Sequence, residues 1–160
     1  MFVYFQDTDN LSVYFVDADS GVEVYCIDIM DYILISYDIN DKITAFHVEG
    51  ISRVLSCHTF DLSELFNENP PNPVYNEVSD ILKVNLVYST LPTRFQKTEM
   101  KDIEVGIDDV GNIICLLFHN ANNRIAEELS PEERKKHEKK LKEESERLNN
   151  WSKSIIRKYR

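Results

Sequence analysis

A few short stretches of this 160-residue chain carry side chains capable of chemistry. Asp17-Ala18-Asp19-Ser20-Gly21 alternates carboxylates ahead of a glycine, the arrangement that directs oxygens at a hard cation. A complete calcium loop needs a third ligand at its fifth position and a glutamate at its twelfth, where this chain has Gly21 and Asp28. Asp, Ser and Gly are also what a tight hairpin turn requires, and a turn is the reading adopted. Cys57-His58 sets a thiol beside an imidazole in sequence. Neighbouring strand side chains point to opposite faces, however, and acidic surroundings raise a thiol pKa, so an activated nucleophile is not expected there.

The four histidines are His47, His58, His119 and His137. If the chain is an internal duplication, His47 and His119 fall near the ends of matching strands, where Cys115 or Cys57 could join them in a soft metal site. The pairing is not symmetric, because His47 aligns with Leu117 and His119 with Glu49; partly exposed sheet-end histidines are expected instead. Three cysteines, Cys26, Cys57 and Cys115, without C-x-x-C spacing argue against a disulfide framework and a zinc cluster, and predict buried free thiols. The chain has no G-x-S-x-G, phosphate-cradling glycine loop or H-E-x-x-H. No catalytic residue, cofactor or metal ligand is assigned, and an enzyme is unsupported.

The elements that must position these residues are strands. FVYFQDTDNLSVYFV alternates aromatic and β-branched residues around Asp7-Thr8-Asp9-Asn10, which predicts a hairpin. GVEVYCIDI, DYILISY and ITAFHV come next as strands, the last two joined across Asp38 to Lys42. VYNEVSDILKVNLVY then repeats the opening at an offset of 71, with Tyr75 answering Tyr4, Asp80 answering Asp9 and Leu82 answering Leu11. KDIEVGIDDVGNIICLLF repeats DYILISYDINDKITAFHV at an offset of 70, with Asp108 answering Asp38. Recurrence of strand, aspartate turn and strand in one order predicts an internal duplication.

Between the copies, Asp61 before Leu62, Leu65 and Phe66 predicts a helical turn or two, and Asn69-Pro70-Pro71-Asn72-Pro73 predicts a stiff linker. Ser130-Pro131-Glu132-Glu133 is a capping box with proline at the first helical position, predicting a helix to about Lys158. Leu148, Trp151 and Ile155 form its apolar stripe, so its first half is expected to be solvated and its end to dock.

Charge divides the chain. Of 18 basic and 28 acidic residues, the segment 131–160 holds 11 and 6, so a tail of +5 follows a body of −15. Such a body repels phosphate backbones and suits a basic partner. In the tail, Glu138 precedes Lys142 and Glu143 precedes Arg147 by four residues, the pattern of a solvated helix more than of a nucleic-acid contact. The Met-Phe-Val-Tyr-Phe start has no basic n-region, and Asp7, Asp9, Asp17 and Asp19 interrupt the apolar residues after it, so neither a signal peptide nor a membrane span is expected. The expected setting is therefore intracellular, soluble and cytoplasmic.

The pattern Tyr4, Asp9-x-Leu11-x-Val13, then Tyr32-Ile33-Leu34-Ile35-x-Tyr37-Asp38, then Lys42-Ile43-x-Ala45-Phe46-x-Val48, resembles the short β-rich family called domain of unknown function twenty-two eighty-three. The second copy keeps that family's turn glycine as Gly111, where the first has Asp41; the family's Gly-Ile-Glu-Ile becomes Ala45-Phe46-His47-Val48 and Cys115-Leu116-Leu117-Phe118. The resemblance covers two stretches of about fifty residues and brings no activity or catalytic residue with it. It implies a neutralising or adaptor role, because bacterial members are often paired with short toxin-like proteins.

The expectation is thus a mainly β (α+β) protein of two tandem antiparallel β-meander repeats packed with pseudo-two-fold symmetry, plus one long C-terminal helix. Its segments are a first repeat at 1–56, a linker at 57–73, a second repeat at 74–125 and the helix at 126–160. The expected function is a non-enzymatic interaction protein whose acidic body binds a basic protein partner. The alternatives are an enzyme or ligand-binding site between the repeats and a nucleic-acid contact through the helix. Candidate partner-binding residues are Leu148, Trp151 and Ile155; His119, Asn120 and Asn122 mark where the second copy departs from the first. The chain is expected to be a monomer with an internal pseudo-dimer, or a homo-oligomer.

Overall fold

Alternation of apolar and polar residues builds ten strands, and the aspartate turns close them into hairpins. The computed structural model describes residues 1–17, 23–66 and 72–158, apart from the side chains of residues 64, 66 and 154–158. The first repeat contains β1 (Phe2–Phe5), β2 (Asn10–Tyr14), β3 (Tyr25–Met30), β4 (Ile33–Tyr37), β5 (Ile43–Val48) and a one-turn helix α1 (Ile51–Val54). The second contains β6 (Val74–Asn76), β7 (Ile81–Asn85), β8 (Arg94–Lys97), β9 (Ile103–Ile107), β10 (Ile113–His119) and α2 (Ala121–Arg124). The two antiparallel sheets run β1-β2-β5-β4-β3 and β6-β7-β10-β9-β8. Within each copy the last three strands form a meander and the first two a hairpin, but the hairpin's second strand returns beside the fifth instead of the third.

The registers match as well as the orders. Tyr4 lies opposite Leu11 as Tyr75 lies opposite Leu82, and Val13 opposite Phe46 as Val84 opposite Leu116. Leu11, Val13, Phe46 and Val48 share one buried core with Val84, Leu116 and Phe118. Phe118 meets Phe15 edge to face at 5.4 Å and Phe46 at 5.8 Å, so the inner faces of the two sheets meet through aromatic rings. Burial of each such ring contributes about 1.5–3 kcal/mol, which a half of fifty residues needs.

Exchanged contacts tie the copies together. Ala126 donates its amide to Ile43 O at 2.8 Å, next to a parallel bridge between Ile43 and Ile125, and Ser56 donates its hydroxyl to Asn112 Oδ1 at 2.7 Å. Ser56 is the counterpart of Ala126, and Asn112 that of Lys42, so each copy reaches over to the other's aspartate turn. Glu99 donates its amide to Ile29 O at 3.1 Å, joining positions seventy residues apart, as neighbours of an approximate two-fold do.

A 3-10 turn at Leu62–Phe66 occupies the linker, and the predicted calcium-like turn at 18–21 and Asn69-Pro70-Pro71 lie outside the described residues. Helix α3 runs Pro131–Lys158. Its capping box forms, with Glu133 N donating to Ser130 Oγ at 3.3 Å and Ser130 N to Glu133 Oε2 at 3.0 Å. Arg134, His137 and Leu141 are the half-buried positions, whereas Leu148 and Trp151 are 56% and 62% exposed. Arg134 pins the first turns by pairing with Asp17 at 3.2 Å and Glu128 at 2.9 Å. Ile155 has its side chain outside the described residues. Among the described residues, no helix is long and apolar enough to cross a membrane.

Candidate functional site

The aspartate features are duplicated framework. Asp9 accepts from Tyr4 Oη at 2.9 Å, and Asp80 from Tyr75 Oη at 3.0 Å. Each then takes the amide of the second residue of the one-turn helix, Ser52 N at 3.1 Å and Asn122 N at 3.0 Å. Asp38 Oδ1 accepts from Asn40 N and Lys42 N as Asp108 Oδ1 accepts from Val110 N and Asn112 N. Burial alone would raise the Asp108 carboxyl, but these donors outweigh it and hold it below the usual carboxylate range.

The same frame accounts for much of the His119 to Asn122 stretch. Asn120 caps α2 at φ 55°, where Gly50 caps α1 at φ 62°; asparagine is among the few side chains that tolerate this left-handed backbone. His119 Nε2 meets Glu104 Oε2 at 3.0 Å. Asn122 lines an apolar groove of about 200 Å³ with Tyr75, Leu82, Ala121 and Ile125. In the first copy Phe60 packs edge-on against the matching Tyr4 ring at 5.1 Å and is buried, while Tyr75 stays 39% exposed.

His47, His119, Cys57 and Cys115, weighed by sequence as a soft metal site, do not converge. Cys57 and His58 are exposed, and His137 lines a shallow groove on α3 with Ile39 and Asn40. Cys115 is buried beneath Gly106, and burial pushes its thiol pKa up. His47 instead meets residues that the sequence did not single out. On the outer face of the first sheet, His47 Nδ1 lies 2.8 Å from Ser12 Oγ and Nε2 lies 2.8 Å from Ser36 Oγ. Cys26 Sγ is 3.0 Å from Ser36 Oγ and 3.1 Å from Glu23 Oε1, which also accepts from the Ser36 hydroxyl. Burial lowers the pKa of His47 and raises that of Cys26, with Glu23 opposing the first shift and adding to the second. Ser36 is fully buried and the Cys26 thiol is held protonated, so neither is an activated nucleophile. Glu23, Cys26 and His47 are the residues that could hold a metal: their ligand atoms lie within 4.8 Å of one another.

A second constellation is electrostatic. Asp28, Asp31, Glu49 and Glu99 surround a cleft of about 440 Å³ whose remaining walls are Met30 and Tyr32. The chain brings them together at the junction of the copies. Glu49 N donates to Tyr32 O at 2.8 Å, and Glu99 N to Ile29 O at 3.1 Å. Tyr32 takes a left-handed φ of 68° in the β3–β4 turn and is 45% exposed. Arg53 stacks over its ring at 5.4 Å and donates to its hydroxyl at 3.4 Å. No ion pair among the described residues uses any of the four carboxylates. The matching corner of the second copy has Lys97, Lys101, Asp102 and His119, so the acidic character belongs to one end of the pseudo-dimer.

In comparisons with known proteins, no family model, curated protein or solved structure matches this chain. The functional reading therefore stands on its own geometry.

Proposed function

We propose that this chain is a non-enzymatic interaction protein whose acidic β body binds a basic segment of a protein partner, with the cleft of Asp28, Asp31, Glu49 and Glu99 as the docking point. The observation that carries the reading is the convergence of four carboxylates around a wall of Met30 and Tyr32. A lysine or arginine fits both parts. Its charged end meets carboxylates in a field made by a body of −15, and its stem packs on methionine and tyrosine. Arg53 already stacks over the Tyr32 ring, so a guanidinium is a group that this ring accommodates. Where a partner's basic segment is also its working surface, such capture neutralises it.

The test is a fluorescence-anisotropy titration of the full chain with a peptide of alternating lysine and alanine, beside a glutamate-for-lysine control. Each exposed charge pair is worth about 0.2–1 kcal/mol, so replacing Asp28 and Asp31 by Asn and Glu49 and Glu99 by Gln together is expected to weaken binding by about fourfold or more. Binding should also fall with salt. Replacing Lys135, Lys136, Lys139 and Lys140 by Gln should leave it intact. Equal binding by the cleft variant, or failure of the lysine peptide to outbind its control, refutes the reading.

A further inference from the structure

We propose that Glu23, Cys26 and His47 form a binding site for a divalent cation of borderline softness, the zinc class, on the outer face of the first sheet. One thiol, one imidazole and one carboxylate are the donors that class selects, and three protein donors leave a position for water or an exogenous ligand. In a tetrahedral zinc site with bonds of about 2.0–2.3 Å, donor atoms stand about 3.3–3.7 Å apart. Here Cys26 Sγ is 3.1 Å and His47 Nε2 3.9 Å from Glu23 Oε1, straddling that range, and the three ligand atoms all lie within 4.8 Å of one another.

The surroundings suit the role. Ser12 Oγ sits 2.8 Å from His47 Nδ1 and can accept the Nδ1 proton once Nε2 turns to an ion, the outer-shell device that fixes a ligating histidine. Ser36 Oγ lies beside all three donors and can turn aside or hydrogen-bond the bound carboxylate. Glu23 and Cys26 are exposed, which gives an ion its entry path. Binding replaces the S–H bond of Cys26 by a sulfur–metal bond and releases that proton to solvent.

The fold does not require this cluster. At the matching positions the second sheet carries Pro92, Phe95 and Leu117, with Lys83 for Ser12 and Gly106 for Ser36, and builds the same strand order and register. A merely structural polar network has a ready apolar replacement, which the second copy uses.

The experiment titrates the full chain, in a Cys57→Ser background that removes the other exposed thiol, with Zn²⁺ by calorimetry and with Co²⁺ by absorbance. One ion per chain and a thiolate-to-cobalt charge-transfer band are expected. Cys26→Ser should abolish the band, and His47→Gln, which removes a ligand, should weaken Zn²⁺ binding by more than the roughly 10- to 100-fold typical of losing an outer-shell partner, with folding checked by circular dichroism. Ser12→Ala, which keeps all three donors, should weaken it less. No heat or band at stoichiometric metal overturns the site. So does a band that survives Cys26→Ser, or Zn²⁺ affinity indifferent to both ligand variants.

Discussion

At corresponding lattice positions the first sheet carries Glu23, Cys26, Ser36 and His47, where the second carries Pro92, Phe95, Gly106 and Leu117. The inner faces and turns tell the opposite story. Tyr4 and Asp9 recur as Tyr75 and Asp80, Asp38 recurs as Asp108, and both sheets share one core. Residues that recur are the ones the fold needs: a carboxylate that satisfies turn amides, a tyrosine that holds it, an apolar inner face. Residues that differ are released from that duty. The acidic corner, the polar cluster and the open groove beside Tyr75 all fall in the second class, so the divergence between copies locates the places where this chain has chemistry of its own.

The comparison breaks most severely at the shared core. Phe118 stands where the first copy has Val48, and its ring meets both Phe15 and Phe46 of the other copy. Phe118→Ala is expected to cost about 3–5 kcal/mol, in line with large buried aromatics. It should shift a single cooperative urea transition followed by circular dichroism. Two separated transitions, with the first copy's unchanged, would show that the copies fold independently and that the shared core is nominal.

A smaller effect tests whether the outer faces are interchangeable. A Cβ added at Gly106 would lie 2.4 Å from Cys115 Sγ, 3.0 Å from Pro92 Cβ and 3.2 Å from Phe95 Cε1. The second face is therefore packed onto a bare backbone, as aromatic side chains pack over strand glycines. Gly106→Ser, which installs the residue of the first copy, is expected to cost about 1–3 kcal/mol as overpacking. Ala45, matching Cys115, already leaves room beside Ser36 in the first copy, so the two faces are alternative solutions and not variants of one. Unchanged urea stability of Gly106→Ser would contradict that.

Much of the frame was legible because its cues are local. Alternation, the aspartate turns, the capping box and the offset of 70 to 71 each lie within a few residues of the backbone they shape. What brings Cys26 near His47 is not local. It needs the β3–β4–β5 meander to set the two across Ser36, and it needs the β3–β4 register, which shifts between Asp28 and Met30 at a bulge that no short pattern marks. The acidic corner was legible only as net charge, because Glu99 reaches Asp28 and Glu49 through the pseudo-two-fold. The stripe of Leu148 and Trp151 predicts a docking face, but amphipathic spacing records that a surface is apolar and does not record what covers it. The helix is held at its first turns by Arg134.

The subtlest difference between the faces is one of titration. His47 is lowered below the ordinary histidine range, chiefly by burial, with Glu23 opposing the shift, whereas its counterpart Leu117 does not titrate. A histidine whose folded pKa is depressed binds fewer protons folded than unfolded between the two pKa values. Its contribution is therefore fully present above the unfolded value of about 6.5 and is lost as pH falls through the lower folded value. His47→Leu, which installs the second copy's residue, should remove that segment of the acid-side slope. In urea unfolding followed from pH 7.5 downward, without metal, the stability difference between wild type and variant should change as pH falls below about 6.5, with the wild type losing ground to the variant. A difference constant across that interval would mean that the imidazole is as free to charge in the folded sheet as in the unfolded chain, and that the first face is less sealed than Ser12, Ser36 and the Tyr14 ring 5.9 Å away make it.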